Sequence, residues 1–236
     1  MSAEDLARIT GHAFVKPELL KEALTHPSAL TSGQVRGRRR RRQVFERSYE
    51  RLEFLGDRVL GLVIADLLWR RFESEPEGPL TRRHTHLVRG EALARVANVI
   101  GLGAYLILSQ SQKAAGAASN PAILADVCEA LIAAIYLDGG IEAATVFVRR
   151  FWEPLIDEME GPPRDPKTAL QEWAQARGLA LPTYELVGSS GPDHALRFTI
   201  AASVAGCHRA TATASSKRVA EARAAETLLE QLVDER

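Results

Sequence analysis

Glu50, Glu53 and Asp57 stand on residues 49–72, YERLEFLGDRVLGLVIADLLWRRF, a helical pattern that is otherwise apolar nearly all round. At about 100° per residue, the three acids fall within about 60° of one another. A second apolar stretch, AILADVCEALIAAIYLD (residues 122–138), carries Asp126 and Glu129 at i and i+3, again on one face. The positions three and four residues away from Glu53, Asp57, Asp126 and Glu129 hold no lysine or arginine; only Glu50 has one, Arg47. Two like charges about 4 Å apart repel by roughly 4 kcal/mol at an effective dielectric of about 20. A fold that brings these stretches together must protonate the acids or place a cation among them. A ligand set made only of carboxylates, with no His or Cys, selects a hard ion such as Mg²⁺ or Mn²⁺.

The rest of the pattern sets the frame. Ser2 caps a short helix through Ile9, and Pro17 opens a second. Residues 31–48 are polar and basic and read as a loop. A buried helix is expected over Tyr49–Phe72 because its apolar residues cover most of its circumference. Thr81 is expected to cap one helix running toward Ile100, with residues 101–119 irregular. Asn120-Pro121 opens a helix that ends at Gly139-Gly140, and another runs from Ile141 to about Trp152. Glu160–Pro166, EGPPRDP, is a linker by composition. Beyond it the order is helix (Lys167–Arg177), strand (Thr183–Val187), turn (SSGPDH), strand (Leu196–Val204), tight turn (Ala205-Gly206), strand (His208–Thr213) and helix (Ser216–Leu232). The fold class is therefore an all-α domain over residues 1–158, a linker at 159–164, and a small α+β (α-β-β-β-α) domain over 165–236.

The formal net charge is zero, so no global field announces a nucleic-acid partner. Cys128 and Cys207 lie far apart in apolar or small-residue runs and read as reduced, which fits a cytoplasmic chain. The N-terminus lacks a signal-peptide core, no uninterrupted apolar run reaches the roughly 18 residues of a membrane span, and no membrane partner is expected. The pair His84-x-His86 has no third ligand nearby and reads as non-metal.

ERLEFLGD (residues 50–57) resembles the signature motif of ribonuclease III, and ILADVCEALIAAIYLD (residues 123–138) resembles that family's second acidic motif. THPS (25–28) and LVRGEALA (87–94) are similar to other family segments. The tail, with DPKTALQEW, GPDH and SSKRVAEARAAETLL, resembles a double-stranded-RNA-binding domain. The resemblance covers nearly the whole chain in the family's order. It implies Mg²⁺-dependent hydrolysis of double-stranded RNA, with Mn²⁺ as a substitute, leaving 5′-phosphates and short 3′ overhangs. It implies that Glu53, Asp57, Asp126 and Glu129 hold the metal, with Asp57 and Glu129 catalytic, and that Glu50 and Glu77 have secondary roles nearby. It also implies a homodimer with Phe54 at the interface, although from the residues alone Phe54 reads as core. The cellular role implied is processing of ribosomal and messenger RNA. A non-cleaving RNA-binding protein on the same fold is the alternative, but it should have lost one of the acids, and this chain keeps them all.

Lys217 and Arg218 sit in the first turn of the last helix, where the helix dipole opposes cations unless an anion is present. The resemblance extends the RNA surface to Thr168, Gln171 and Glu172, and to Pro192, Asp193 and His194. From Asp165 onward there are eight basic residues against nine acidic ones, weak for an RNA binder. The run RGRRRRR (36–42) reads either as a solvated loop or as an RNA grip that offsets the weak tail.

Overall fold

The computed structural model describes residues 3–30, 48–163, 165–192, 196–204 and 208–234. The arginine run, the Ala205-Gly206 turn, Cys207, Asp193 and His194 lie outside them. The chain divides into two compact units, Met1–Pro163 and Arg164–Arg236.

The first unit is helical and is built around the helix Pro121–Asp157. Its start is set by composition: Asn120 Oδ1 accepts from the Ala122 N–H at 3.0 Å, and Pro121 occupies the first turn. Gly140 breaks the helical backbone with φ 77° and ψ −175°, where the sequence places the end of one helix and the start of another. The distal half continues to Asp157, past the expected Trp152, because Phe147, Val148, Trp152 and Ile156 keep a buried face to the end. Trp152 anchors this half by donating its indole N–H to the Leu87 carbonyl at 2.8 Å. By length and apolar composition this helix could cross a membrane, but its buried residues form the centre of the core.

Against it pack the helices Glu50–Arg71 and Gly90–Ile100. The first carries an apolar face into the core through Leu52, Val59, Leu60, Val63, Ile64 and Leu68. The expectation of an all-round buried helix is corrected here: Phe54, Leu62 and Trp69 are 67%, 63% and 70% exposed along its outer side. Two helices, Glu77–Leu87 and Gly90–Ile100, stand where one was expected, with a break at Val88-Arg89. Pro76 takes the capping position, and the Thr81 hydroxyl instead donates to Glu77 Oε1 one turn back. Arg83, 3% exposed, pairs with Glu75 and stacks 3.9 Å over the Phe72 ring, holding the turn before Glu77. The segment 101–119 includes one short α-helix, Gln110–Ala114, and two 3₁₀ turns.

The second unit is an antiparallel sheet, β1 (Thr183–Ser190), β2 (Arg197–Val204) and β3 (His208–Ala214), in the order β1-β2-β3. Helices Pro166–Gln175 and Lys217–Asp234 flank it in sequence. Strand β1 extends three residues past the expected Val187, with its register shifting between Leu186 and Gly188. The alternation in β2 places Ile200, Ala202 and Val204 on the covered face, against Leu170, Ala174, Ala220, Ala224 and Leu228 of the helices.

Candidate functional site

The acids meet where the two longest helices cross. Gly56 is the reason they can. A Cβ at Gly56 would lie 1.8 Å from the Glu129 carbonyl oxygen, so the helices touch backbone to backbone at that residue. Glu53 lies one turn before the contact, and Asp126 one turn before Glu129 on the facing helix. Of the two glycines inside this apolar helix, Gly56 is the one flanked by acids, Glu53 and Asp57.

Electrostatics record the proximity. Burial, then Glu53 and Asp126, push the Glu129 carboxyl up to about 7, against a partial offset from Arg58. Burial raises Glu53 as well, with Asp126 and Glu50 adding to it. Burial also raises Asp126, opposed by the Tyr49 hydroxyl and by His26. Glu53, Asp126 and Glu129 thus share one partly buried site whose acids repel one another.

The remaining candidates differ. Asp57 faces the Arg58 guanidinium, which also lies 5.3 Å over the Phe54 ring. Arg58 is the next residue along, so it lies outside the i±3 and i±4 spacing at which helical neighbours meet. Glu50 accepts a hydrogen bond from the Ser48 hydroxyl at 3.0 Å. Glu77 is engaged by Thr81 and does not join the other acids within this chain. His84 donates to the Gly61 carbonyl at 3.0 Å and so ties two helices together. Cys128, beside Glu129, is fully buried, and burial pushes its thiol up.

The donor set fits a hard divalent cation in chemistry and charge: oxygen ligands only, in excess negative charge. As the side chains stand, no group of three or more His, Cys, Asp or Glu among the described residues converges closely enough to hold an ion.

In the second unit, Asp165 caps the first helix by accepting from the Lys167 and Thr168 N–H groups. Thr168, Gln171 and Glu172 are exposed, and their spacing puts them on one helix face. Lys217 and Arg218 are exposed in the first turn of the last helix, where Ser216 Oγ accepts from the Val219 N–H. Lys167 reaches across to Glu221 at 2.6 Å, tying the two helix beginnings together. Pro192 is exposed just past β1.

Comparison with known proteins covers both units. Residues 16–155 match a family described as ribonuclease-III-like, and residues 166–232 match the double-stranded RNA binding motif. Ribonuclease 3 of Azorhizobium caulinodans is 49% identical over 219 residues, spanning 93% of this chain and 89% of that protein. Ribonuclease 3 of a Wolbachia species is 44% identical across 96% of this chain and 94% of its own length. Among solved structures, the nuclease domain of ribonuclease III from Campylobacter jejuni superposes with a TM-score of 0.58 at 33% identity, covering 67% of this chain and 99% of that domain. With an acid-bearing helical unit and an RNA-binding-type α+β unit in the same order as in these relatives, the chain belongs to the ribonuclease III family of endoribonucleases.

Proposed function

We propose that this chain is a Mg²⁺-dependent endonuclease of double-stranded RNA that works as a homodimer and leaves 5′-phosphates with short 3′ overhangs. The observation that carries the reading is the Gly56–Glu129 crossing, which buries Glu129 beside Glu53 and Asp126, and burial first, then those charges, push it up to about 7. Such an arrangement is costly unless a cation is drawn in. Glu53, Asp57, Asp126 and Glu129 would hold it, with Mn²⁺ able to replace Mg²⁺. A hard cation there supplies activation of a water and neutralisation of charge at the leaving 3′ oxygen. The residues themselves orient and hold: Glu53 and Asp57 would reach the cation from one helix, and Asp126 and Glu129 from the other.

The second unit captures the duplex by shape, through phosphates and 2′-hydroxyls. Thr168, Gln171 and Glu172 would lie along one groove, residues 192–194 along another, and Lys217 and Arg218 on the backbone between them. The exposed stripe Phe54, Leu62 and Trp69 supports the homodimer. A two-fold axis lays the stripe on its own copy. Run antiparallel, it sets Phe54 opposite Trp69, about 22 Å away along the helix. Beside Trp69 is a cavity of about 600 Å³, lined in part by Ala65, Leu68, Leu80 and Glu77. That pairing would bring Glu77 toward the partner's acids. The solved Campylobacter nuclease domain is itself described as having a region involved in dimer formation. The same reading places the protein in the cytoplasm, away from membranes, acting on ribosomal and messenger RNA precursors.

The test uses purified full-length chain with duplex and single-stranded RNA, in Mg²⁺ and in EDTA. Duplex cleavage should require the metal. Glu129→Gln should abolish cleavage while duplex binding stays within about a few fold, since the acids repel phosphate. Near wild-type cutting by Glu129→Gln would rule out this site. Duplex binding without cleavage in any divalent cation would favour the non-cleaving alternative.

A further inference from the structure

Tyr49, immediately before the Glu50–Arg71 helix, is 5% exposed, yet it carries a polar group into the acid site. Its hydroxyl lies 3.5 Å from Asp126 Oδ2, the acceptor it is aimed at. Three separate contacts fix the residue. Its backbone N–H donates to the Thr25 carbonyl at 3.0 Å. Its ring meets the His26 ring edge-on, with centroids 5.7 Å apart. The third is the hydroxyl itself.

The His26 ring is in turn locked. Its Nδ1 accepts from the Ser28 N–H at 3.0 Å and lies 2.8 Å from Ser28 Oγ, so the ring proton belongs on Nε2. Ser28 Oγ accepts from the Ser109 N–H at 3.2 Å. The His26 N–H donates to the Ile107 carbonyl, and the Ile107 N–H to Leu24. Segments 24–28 and 107–109 therefore brace the ring that braces Tyr49.

We infer that Tyr49 is a positioning residue for Asp126, held in place by His26, and that its hydroxyl fixes one carboxylate oxygen so that the other is turned toward the cation. A phenol brings a proton but no charge, so it leaves the negative excess that attracts the ion intact and restricts only rotation of the ligand. Partners of this kind tune ligand orientation in metal sites, and losing them typically weakens metal binding or activity by about 10–100-fold. A contact of 3.5 Å is long for a hydrogen bond, and catalytic contacts of this sort shorten when the site is loaded. The inference rests on the metal-dependent reading above.

The test is Tyr49→Phe in the full chain, with Mn²⁺ binding followed by the electron paramagnetic resonance of free Mn²⁺, in the absence of RNA. Binding should weaken by about tenfold, while the thermal midpoint in EDTA stays within about 3 °C of wild type. In an Asp126→Ala background the same substitution should add nothing, because the acceptor is already gone. Mn²⁺ affinity within about twofold of wild type would overturn the inference and leave the metal reading standing. So would an equal loss in both backgrounds, or a fall in the thermal midpoint with Mn²⁺ binding unchanged. A wild-type chain that binds no Mn²⁺ and cuts duplex RNA in EDTA would overturn both.

Discussion

Asp138 ties the N-terminal segment to the long helix with one carboxylate. It accepts from the Val15 N–H at 2.9 Å, the Lys16 N–H at 2.8 Å and His12 Nε2 at 2.8 Å, just before the Gly139-Gly140 break. Burial alone would raise this carboxyl, but the bonds from Val15, His12 and Lys16 outweigh burial and hold it below the usual range. A group lowered in this way stabilises the fold fully above its unfolded value near 4. It loses that contribution as the pH falls through the folded value. Asp138→Asn should therefore cost about 2 kcal/mol at pH 7, because an amide nitrogen would face backbone donors. The gap from wild type in urea unfolding should close as the pH is taken from 7 toward 3. A gap of equal size at both ends would mean that ionisation is not what Asp138 contributes. The acids of the site follow the opposite sign: burial, and then their neighbours' charge, raises them, so they oppose folding where Asp138 supports it.

Among the elements, the crossing of the two acid-bearing helices decides the site. Gly→Ala in a helix interior normally stabilises by about 1 kcal/mol. At Gly56 the sign should reverse, because the added methyl would meet the Glu129 carbonyl at 1.8 Å and force the helices apart. Gly56→Ala should lose about 1–3 kcal/mol or more in urea unfolding and should lose cleavage as well, since Glu53 and Asp126 would separate. Wild-type stability with wild-type cleavage would show that the close approach is dispensable. Periodicity made both helices and their acid faces legible, since one turn of spacing suffices to put Asp126 beside Glu129. It could not reveal the crossing, which depends on residues more than 70 positions apart. Thr81 misled for a local reason: a hydroxyl that can cap a helix can equally bond a carboxylate one turn back, as it does with Glu77.

For the molecule as a whole, the outer side of the Glu50–Arg71 helix makes the strongest statement. Phe54, Leu62 and Trp69 expose apolar surface along one side of the helix, the kind of patch that marks an interaction surface. For the proposed homodimer, Phe54→Asp should give a monomer in sedimentation analysis, with the helical signal retained, because the residue contributes nothing to the unit's own core. A dimer that persists in that variant would place the interface elsewhere. This stripe also explains the misreading of the helix as buried. An apolar face looks the same in sequence whether its own chain or a second copy covers it.

The sequence by itself determined the helical and α+β units, the Pro121 start, the Gly140 break and the family, through motifs whose residues are close neighbours along the chain. Local patterns carry these because turn chemistry and side-chain period act within a few residues. Tertiary structure alone decided that Gly56 meets Glu129, that Tyr49 reaches Asp126 from 77 residues away, and that Phe54 stands outside the core. Each of these depends on how two surfaces close over one another, and the distance between side chains on different helices is set by packing, which no period along one chain encodes.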